Sequence, residues 1–375
     1  MNQIRQWHAP ARVNLIGEHT DYSGGLAMPI AIDRGITIKA RRRNDDTTHV
    51  WSLGQQAQFH HAGVHHSGAE TVTGWAAYLA GIAWALNEKG IQPPALDLVL
   101  ESDIPVGAGL SSSAALTCAT ALAMTAFAGV TFDREQIALI AAKAENDYVG
   151  APTGLLDQFS VCFAEADHAL LLDFSTDIPS AISIPAQWTQ TGLTLAVIDT
   201  TSRHSHATGG YRTRREEVER AAAELGIEAL GRVSLDQVVS LSDPVLKART
   251  QHVFTENARV RGAAKAMREN NWDVFGSMLT ASHNSLRDDF HVSCPELDAA
   301  VEIALAQGAL GARMTGGGFG GCAIALIETG RVDELRSALE SAYEARGWSR
   351  PEVFWVSPSA GARELPWHGQ GNDVG

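Results

Sequence analysis

Pro105-Val-Gly-Ala-Gly-Leu-Ser-Ser-Ser-Ala-Ala115 is the stretch whose reading decides the fold. Before it, Leu96, Leu98 and Leu100 alternate with Asp97, Val99 and Glu101, which predicts a half-buried strand. After it, the spacing predicts a helix from about Ser112 to Ala128, stopped by Gly129. A strand that runs through glycines into a helix N-terminus turns backbone amides toward one point and adds the partial positive charge of the helix end. With the serine hydroxyls as further donors, the stretch reads as a phosphate cradle. It has no Gly-Lys-Ser/Thr and so is not a Walker A loop, which disfavours a P-loop fold. A plain serine cap after a glycine turn is the simpler alternative, although a cap needs one serine and here there are three. No charge occurs from Ile104 to Phe132, yet Pro105, Gly107, Gly109 and the serines at one end, with Ala and Thr at the other, predict a loop and a buried helix rather than a membrane span.

Working outward, strands are predicted at Ala27–Lys39 and Val50–Ser52, and a helix at Trp75–Glu88, with Trp75, Tyr78, Leu79, Ile82 and Leu86 at helical spacing and Gly90 as its stop. Asp133 and Gln136 form a capping-box pattern ahead of Ile137, Ile140, Ala141 and Ala144. Leu170–Phe174 and Leu193–Thr200 read as strands, and a boundary near residue 180 divides the chain into domains 1–180 and 181–375. The second half shows helical periodicity at Arg214–Leu225, Val245–Glu269, Trp272–Leu286 and Pro295–Ala306. Strands at Cys322–Ile327 and Val353–Val356 around a helix at Val332–Ala345 suit helices layered on a small antiparallel sheet. Gly369–Gly375 reads as a frayed tail.

The chain has 375 residues, 45% hydrophobic and 19% charged, which is a globular composition with room for two domains. Its net charge of -14 opposes nucleic acid or an anionic membrane as the main partner. Cys118, Cys162, Cys294 and Cys322 form no CxxC pair and read as buried thiols of a reducing compartment. The N-terminus lacks the apolar core of a secretory signal, so a soluble, cytoplasmic protein is expected.

Four further segments carry chemistry. Arg12-Val-Asn-Leu-Ile-Gly-Glu-His-Thr-Asp-Tyr22 sets a cation, two carboxylates, an imidazole and a phenol behind an apolar strand. Gly17 permits a sharp turn that presents Glu18, His19 and Asp21 together, where carboxylates can accept hydrogen bonds from a polyhydroxylated ligand. Arg12 offers a donor fork to an anion or a carboxylate; an ordinary charged surface loop is the alternative. Asp157, within Pro152–Phe159, lies among apolar neighbours and is expected directly before a strand; it is either a structural cap or, beside a cation such as Arg12, a candidate base. Glu145 on the preceding helix is either solvated or a ligand of Mg²⁺ shared with bound phosphates.

The run Thr315–Gly321 contains GxGxxG, but it follows a predicted helix and feeds a strand, the reverse of the dinucleotide-binding order. Its glycines instead let backbone approach a ligand or another loop. His60, His61, His65 and His66 lack acidic or cysteine partners and read as a solvated loop. Trp75 and Tyr78 are either core residues or the wall of a purine pocket.

Three segments, ARVNLIGEHTDYSGG, VGAGLSSSAAL and MTGGGFGGCAIAL, resemble in order and spacing the three motifs of the GHMP small-molecule kinase superfamily. GLLDQF, TSRHSHATGGYRTRR and HNSLRDDFHVSCPELD extend the resemblance over nearly the whole chain, and the first motif is most similar to that of the galactose-phosphorylating branch. The resemblance implies an α+β, two-domain GHMP kinase architecture, with an N-terminal domain like ribosomal protein S5 domain 2 and a C-terminal ferredoxin-like domain. It implies ATP-dependent phosphorylation of D-galactose at its anomeric hydroxyl, as in galactose catabolism; the oligomeric state is not read from the sequence, a monomer being the expectation. By the same resemblance Glu18, His19, Asp21, Gly154 and Tyr211 join Asp157 around the sugar, and Gly107, Ala108, Gly109, Leu110, Ser111, Ser112 and Ser113 wrap the phosphates. Trp75 and Tyr78 would lie by the adenine, Ser113 or Ser112 with Glu145 would hold Mg²⁺, and Asp157, with Arg12 beside it, would face the sugar's 1-hydroxyl either as a full base that takes its proton or mainly as an electrostatic partner. The glycine run would brace the phosphate loop from the second domain.

Two other readings share these motifs, an N-acetylgalactosamine kinase and a non-catalytic galactose and ATP sensor that lacks two residues of the phosphate loop. Ser111-Ser-Ser-Ala-Ala115 is complete here, which favours catalysis. Ala11, Ser23 and Leu156 depart from the usual glycine, asparagine and methionine without removing a functional group.

Overall fold

The structure, a computed structural model, describes residues 3–52, 54–61, 72–105, 107–151, 153–203 and 207–367. His65, His66, Val106, Pro152 and the expected tail Gly369–Gly375 lie outside the described residues. The first sheet is built from β1 (Arg5–Ile16), β2 (Leu26–Arg42), β3 (Thr47–Ser52), β4 (Gln55–His60) and, after helix α1 (Ala76–Glu88), β5 (Leu96–Ser102). Helices α2 (Ser112–Ala128), α3 (Arg134–Lys143) and α4 (Leu156–Phe163) follow, and then β6 (His168–Asp173) and β7 (Ser180–Pro185). The strand order is β12-β1-β2-β5-β3-β4, with β6 on the early part of β2 and β7 beyond it; β12 (Arg363–Leu365) returns from the far end of the chain to pair with β1.

Val13, Leu15 and Ile16 of β1 are fully buried, and α2 is buried almost all round through Ala114, Ala115, Leu116, Cys118, Ala121 and Met124. The uncharged run is therefore a helix of the interior. Among the described residues no helix is long and apolar enough to cross a membrane.

β7 still pairs with β6, and the chain enters a second sheet at β8 (Leu193–Arg203). After α5 (Ala207–Glu224), α6 (Leu235–Ser240), α7 (Pro244–Arg268), α8 (Trp272–Asp288) and α9 (Pro295–Ala306) come β9 (Gly311–Thr315), β10 (Gly320–Glu328), α10 (Val332–Ala345) and β11 (Glu352–Val356). The order is β11-β8-β10-β9, and its pairs are antiparallel. Leu195, Val197, Ile324 and Leu326 pack into one core, while their neighbours Ala196, Ile198, Ala323, Ala325 and Ile327 pack into the other. A sheet covered on both faces has no solvent side, which is why β8 and β10 read as continuous apolar runs.

The capping box predicted at Asp133 and Gln136 is present at the start of α3. Other local expectations need correction. Asp157 stands in the first turn of α4 and not before a strand, because an apolar run as short as Leu155–Phe159 suits either element. The glycine run follows strand β9 and so joins two antiparallel strands; Gly311–Thr315 is too short to separate from the preceding helix by pattern. Helix α5 starts at Ala207 and not Arg214, since Gly209 and Gly210 read as breakers but are helical here. Asp97 is buried in spite of its place in the alternation, held between Arg41 at 2.7 Å and Arg43 at 2.6 Å.

Candidate active site

Two breaks in register, between Pro10 and Arg12 and between Asn14 and Ile16, interrupt the β1–β2 ladder where it reaches the site. Such irregularities re-aim side chains, and Arg12 leaves the strand toward the loop before α2. Its backbone amide donates to Leu110 O at 3.2 Å, and its Nη1 donates to Gly109 O at 2.9 Å. Its Nε donates to Asp157 Oδ1 at 2.6 Å. Burial alone would lower the Arg12 pKa, but Asp157, Glu18 and Asp21 outweigh it and leave it raised, so the cation is permanent. Ser111 Oγ donates to the other oxygen of the same carboxylate, Asp157 Oδ2, at 2.5 Å. The phosphate loop, the arginine and the carboxylate thus form one locked unit.

Beyond β1 the chain turns at Gly17, whose φ is 94°; a Cβ there would lie 2.6 Å from Ala27 Cα. This turn presents the sequence-predicted Glu18, His19 and Asp21, and the second half of the chain holds it. Glu18 Oε1 accepts from Gly316 N at 2.8 Å and Thr315 Oγ1 at 3.2 Å, and Arg313 Nη2 lies 3.5 Å away. His19 Nε2 lies 3.2 Å from Gly317 O and Nδ1 2.9 Å from Tyr22 OH. The carbonyl can only accept, so Nε2 carries the proton and Nδ1 accepts from the phenol. Burial, then His252 and nearby arginines, pull His19 down to about 3, so the ring stays neutral. Burial pushes Asp21 up to about 6, with Asp157 and Glu18 adding repulsion. Gly154 abuts Asp21, and Tyr211 on α5 faces His19 with ring centroids 5.3 Å apart.

These groups line one cleft of about 480 Å³, within the range of small-molecule sites. Its walls are Arg12, Glu18, His19, Asp21, Gly107 to Ser113, Gly154, Asp157, Tyr211 and Gly316 to Gly318. Glu145, Trp75 and Tyr78 are not among the lining residues. Glu145 is buried behind the loop, where α3 passes into a π-helical turn at Ala144–Val149, and Gln158 Nε2 donates to its Oε2 at 2.6 Å. Burial, with Asp157 adding to it, raises its pKa to about 7, while a hydrogen bond from Ser113 acts the other way. A buried carboxylate with an adjacent hydroxyl is an all-oxygen donor pair that fits Mg²⁺, which takes few protein ligands when phosphates supply the rest. Tyr78, half-buried, has its phenol pKa raised by burial and then by Glu145. Trp75 Nε1 donates to Gln55 Oε1 at 2.9 Å.

Sequence reasoning missed the residues of α7 that grip the turn at Gly17–Asp21. Glu256 Oε1 accepts from Gly17 N at 2.9 Å and from Ser282 Oγ at 2.6 Å, and Arg259 Nε donates to Oε2 at 2.7 Å. His252 Nε2 lies 3.1 Å from Glu18 O, and Asn257 Oδ1 accepts from Leu26 N at 2.8 Å. All three are buried. The signal was three polar side chains on the apolar face of a predicted helix. Burial disfavours the Glu256 carboxylate, but Arg259, His252 and Arg313 outweigh it and bring its pKa down to about 2.

A glycine- and serine-rich loop at a helix N-terminus, beside an arginine locked on a carboxylate and a polar turn in the same cleft, has the chemistry of a small-molecule phosphotransferase. Comparison with known proteins narrows the class. The family profile described as GHMP kinases N terminal domain matches residues 77–165, GHMP kinases C terminal matches 263–345, and Galactokinase galactose-binding signature matches 2–42. The galactokinase of Streptomyces coelicolor is 43% identical over 364 residues, covering 96% of this chain and 94% of the relative. That of Mycobacterium tuberculosis is 41% identical, covering 95% and 98%. Lactococcus lactis galactokinase complexed with galactose superposes with a TM-score of 0.89 at 32% identity, covering 97% of this chain and 95% of that one. Methanococcus jannaschii mevalonate kinase, with a TM-score of 0.69 at 19% identity over 96% of this chain and 98% of that one, shares the fold. The chain belongs to the galactokinase family of the GHMP kinases.

Proposed function

We propose that this cleft transfers the γ-phosphoryl group of ATP to the anomeric hydroxyl of D-galactose, forming galactose 1-phosphate. The observation that carries the residue roles is the placement of Asp157, which joins the Glu18–Asp21 turn to the phosphate loop in one cleft. A hydroxyl entering from the turn meets this carboxylate beside the cradle, so Asp157 takes its proton as the oxygen attacks. Arg12, fixed on both Asp157 and Gly109 O, neutralises charge that develops on the transferring group. Phosphoryl transfer asks a protein mainly for position and charge stabilisation, and both are present.

Glu18, His19, Asp21, Gly154 and Tyr211 form the sugar side, while Gly107 to Ser113 form the phosphate side. Ser113 and Glu145 would hold Mg²⁺, which when bound neutralises phosphate charge. Trp75 and Tyr78 are assigned to the adenine, Tyr78 lying close enough to Glu145 for that carboxylate to raise its phenol pKa. The reading takes domains 1–180 and 181–375 as the two walls of the cleft. It also takes the enzyme as a cytoplasmic monomer with galactose and ATP as its partners, in keeping with a net charge of -14.

The test is coupled detection of ADP release from Mg-ATP with galactose, glucose, N-acetylgalactosamine, mevalonate and homoserine offered in turn. Galactose turns over and glucose, which differs at the 4-hydroxyl, is rejected by up to about 10⁴-fold, since its misplaced hydroxyl leaves a buried carboxylate unpaired. Preference for N-acetylgalactosamine, mevalonate or homoserine would reassign the substrate.

A further inference from the structure

Ser111 is the N-cap residue of α2, yet it does not cap: its side chain makes no hydrogen bond to the helix amides. Its backbone is left-handed, with φ 59° and ψ 47°, a conformation that residues with a Cβ adopt only at a cost and that glycine adopts freely. Non-glycine residues held there cluster at functional sites, where the surrounding structure enforces the strain. A serine that forgoes capping and sits in a glycine conformation needs another reason to be a serine. The hydroxyl supplies one: Oγ donates to Asp157 Oδ2 at 2.5 Å, while Arg12 Nε holds Oδ1 at 2.6 Å. Ser111 is buried, whereas Ser112 is exposed and Ser113 half-buried.

We propose that, within the loop assigned to the phosphates above, the Ser111 side chain is the exception: it positions Asp157 and is not itself a phosphate ligand. With Arg12 on one oxygen and Ser111 on the other, the carboxylate plane is fixed on both edges. Rotation about its Cβ–Cγ bond would break both bonds, so the carboxylate keeps one orientation in the cleft wall. The phosphates are left to Ser112, Ser113 and the loop amides. The αL backbone is what aims Oγ away from the helix amides and toward α4. The proposal rests on Asp157 being the proton acceptor.

The experiment compares Ser111→Gly, Ser111→Ala and Asp157→Asn with the parent enzyme, measuring kcat, both KM values and Tm. In Ser111→Gly the strain is relieved and the hydroxyl lost, so Tm does not fall while kcat drops about tenfold or more. The KM values for galactose and Mg-ATP stay within about twofold of the parent. Ser111→Ala keeps the strain and loses the same kcat at a lower Tm. A merely structural serine would instead make activity follow stability across the pair.

A Ser111→Gly enzyme with kcat within about twofold of the parent overturns the proposal. So does a loss carried by KM for Mg-ATP, which would return the hydroxyl to the phosphates. Asp157→Asn separates the two readings. If it turns over normally, the base assignment fails and the Ser111 role with it; if it is inactive while Ser111→Gly is unimpaired, only Ser111 is misassigned.

Discussion

Gly154→Ala tests the sugar pocket with a single methyl group. Gly154 is not in the left-handed region, so its backbone accepts alanine and the fold is expected to survive. A Cβ at this position would lie 2.9 Å from Asp21 Cγ and closer still to Oδ2. Carbon atoms in contact sit about 3.5–4.0 Å apart, so Cγ must retreat by at least roughly 0.6 Å and the closer Oδ2 by about 1 Å or more. Misplacement of a substrate-positioning group by about 1 Å can cost about 10²-fold, or about 2.7 kcal/mol of transition-state stabilisation. The expected result is a fall of that size in kcat/KM for galactose, with KM for Mg-ATP and Tm little changed. Initial rates of ADP formation over a galactose series, with thermal unfolding of the same sample, measure it. In an Asp21→Ala background the added methyl meets no carboxylate, and its effect should vanish. A Gly154→Ala enzyme within about threefold of the parent, or the same loss in both backgrounds, would refute the contact as the cause.

Three further outcomes are expected. Glu145→Gln raises the Mg²⁺ concentration for half-maximal rate more than the galactose requirement, read from metal titrations at saturating galactose; an unchanged metal curve would move the ion elsewhere. Glu256→Gln leaves Arg259 and Arg313 without their shared charge, so urea unfolding should show a loss of about 3 kcal/mol and galactose KM should rise more than ATP KM; equal KM changes would detach α7 from the sugar turn. Asp21 titrates near 6, above the usual carboxylate value, so its ionised form opposes folding: the cost is absent below pH 4, grows to about 6 and is full above it. Asp21→Asn should therefore be more stable than the parent by on the order of 2 kcal/mol at pH 7.5 and about equal at pH 4; equal stability at both would show that burial does not strain the charge.

Much of this site is legible in the sequence because its parts are local. A strand, a glycine and a cluster of polar residues suffice to find the turn at Glu18–Asp21, and strand, glycines and serines suffice for the cradle at Gly107–Ser113. The capping box at Asp133 is likewise a contact between residues three apart. What stayed hidden depends on partners far along the chain. The strand expected after Asp157 is a helix whose first turn delivers the carboxylate to both Arg12 and Ser111, and no window of sequence contains all three. His252, Glu256 and Asn257 stand within the helix expected at Val245–Glu269, and nothing near them in sequence tells which backbone groups they satisfy.

The grip of α7 on the sugar turn also has a history within each molecule's synthesis. Gly17 N waits for a carboxylate 239 residues further on, Leu26 N for an amide 231 residues further on, and Glu18 for Gly316, at a separation of 298. On a ribosome that has released only β1 to β7, these groups lack their second-half partners, and the turn keeps only its local hydrogen bonds, such as those from Asn14 Nδ2 and Thr20 Oγ1 to Gly17 O. Contacts of such long separation form late, because loop closure must precede them. The polypeptide therefore emerges with the Arg12–Asp157–Ser111 unit within reach and the Gly17–Asp21 turn still without its braces. A nascent chain stalled before α7 has every residue of the Glu18–Asp21 turn and none of the α7 and Gly316 groups that the second half sets against it.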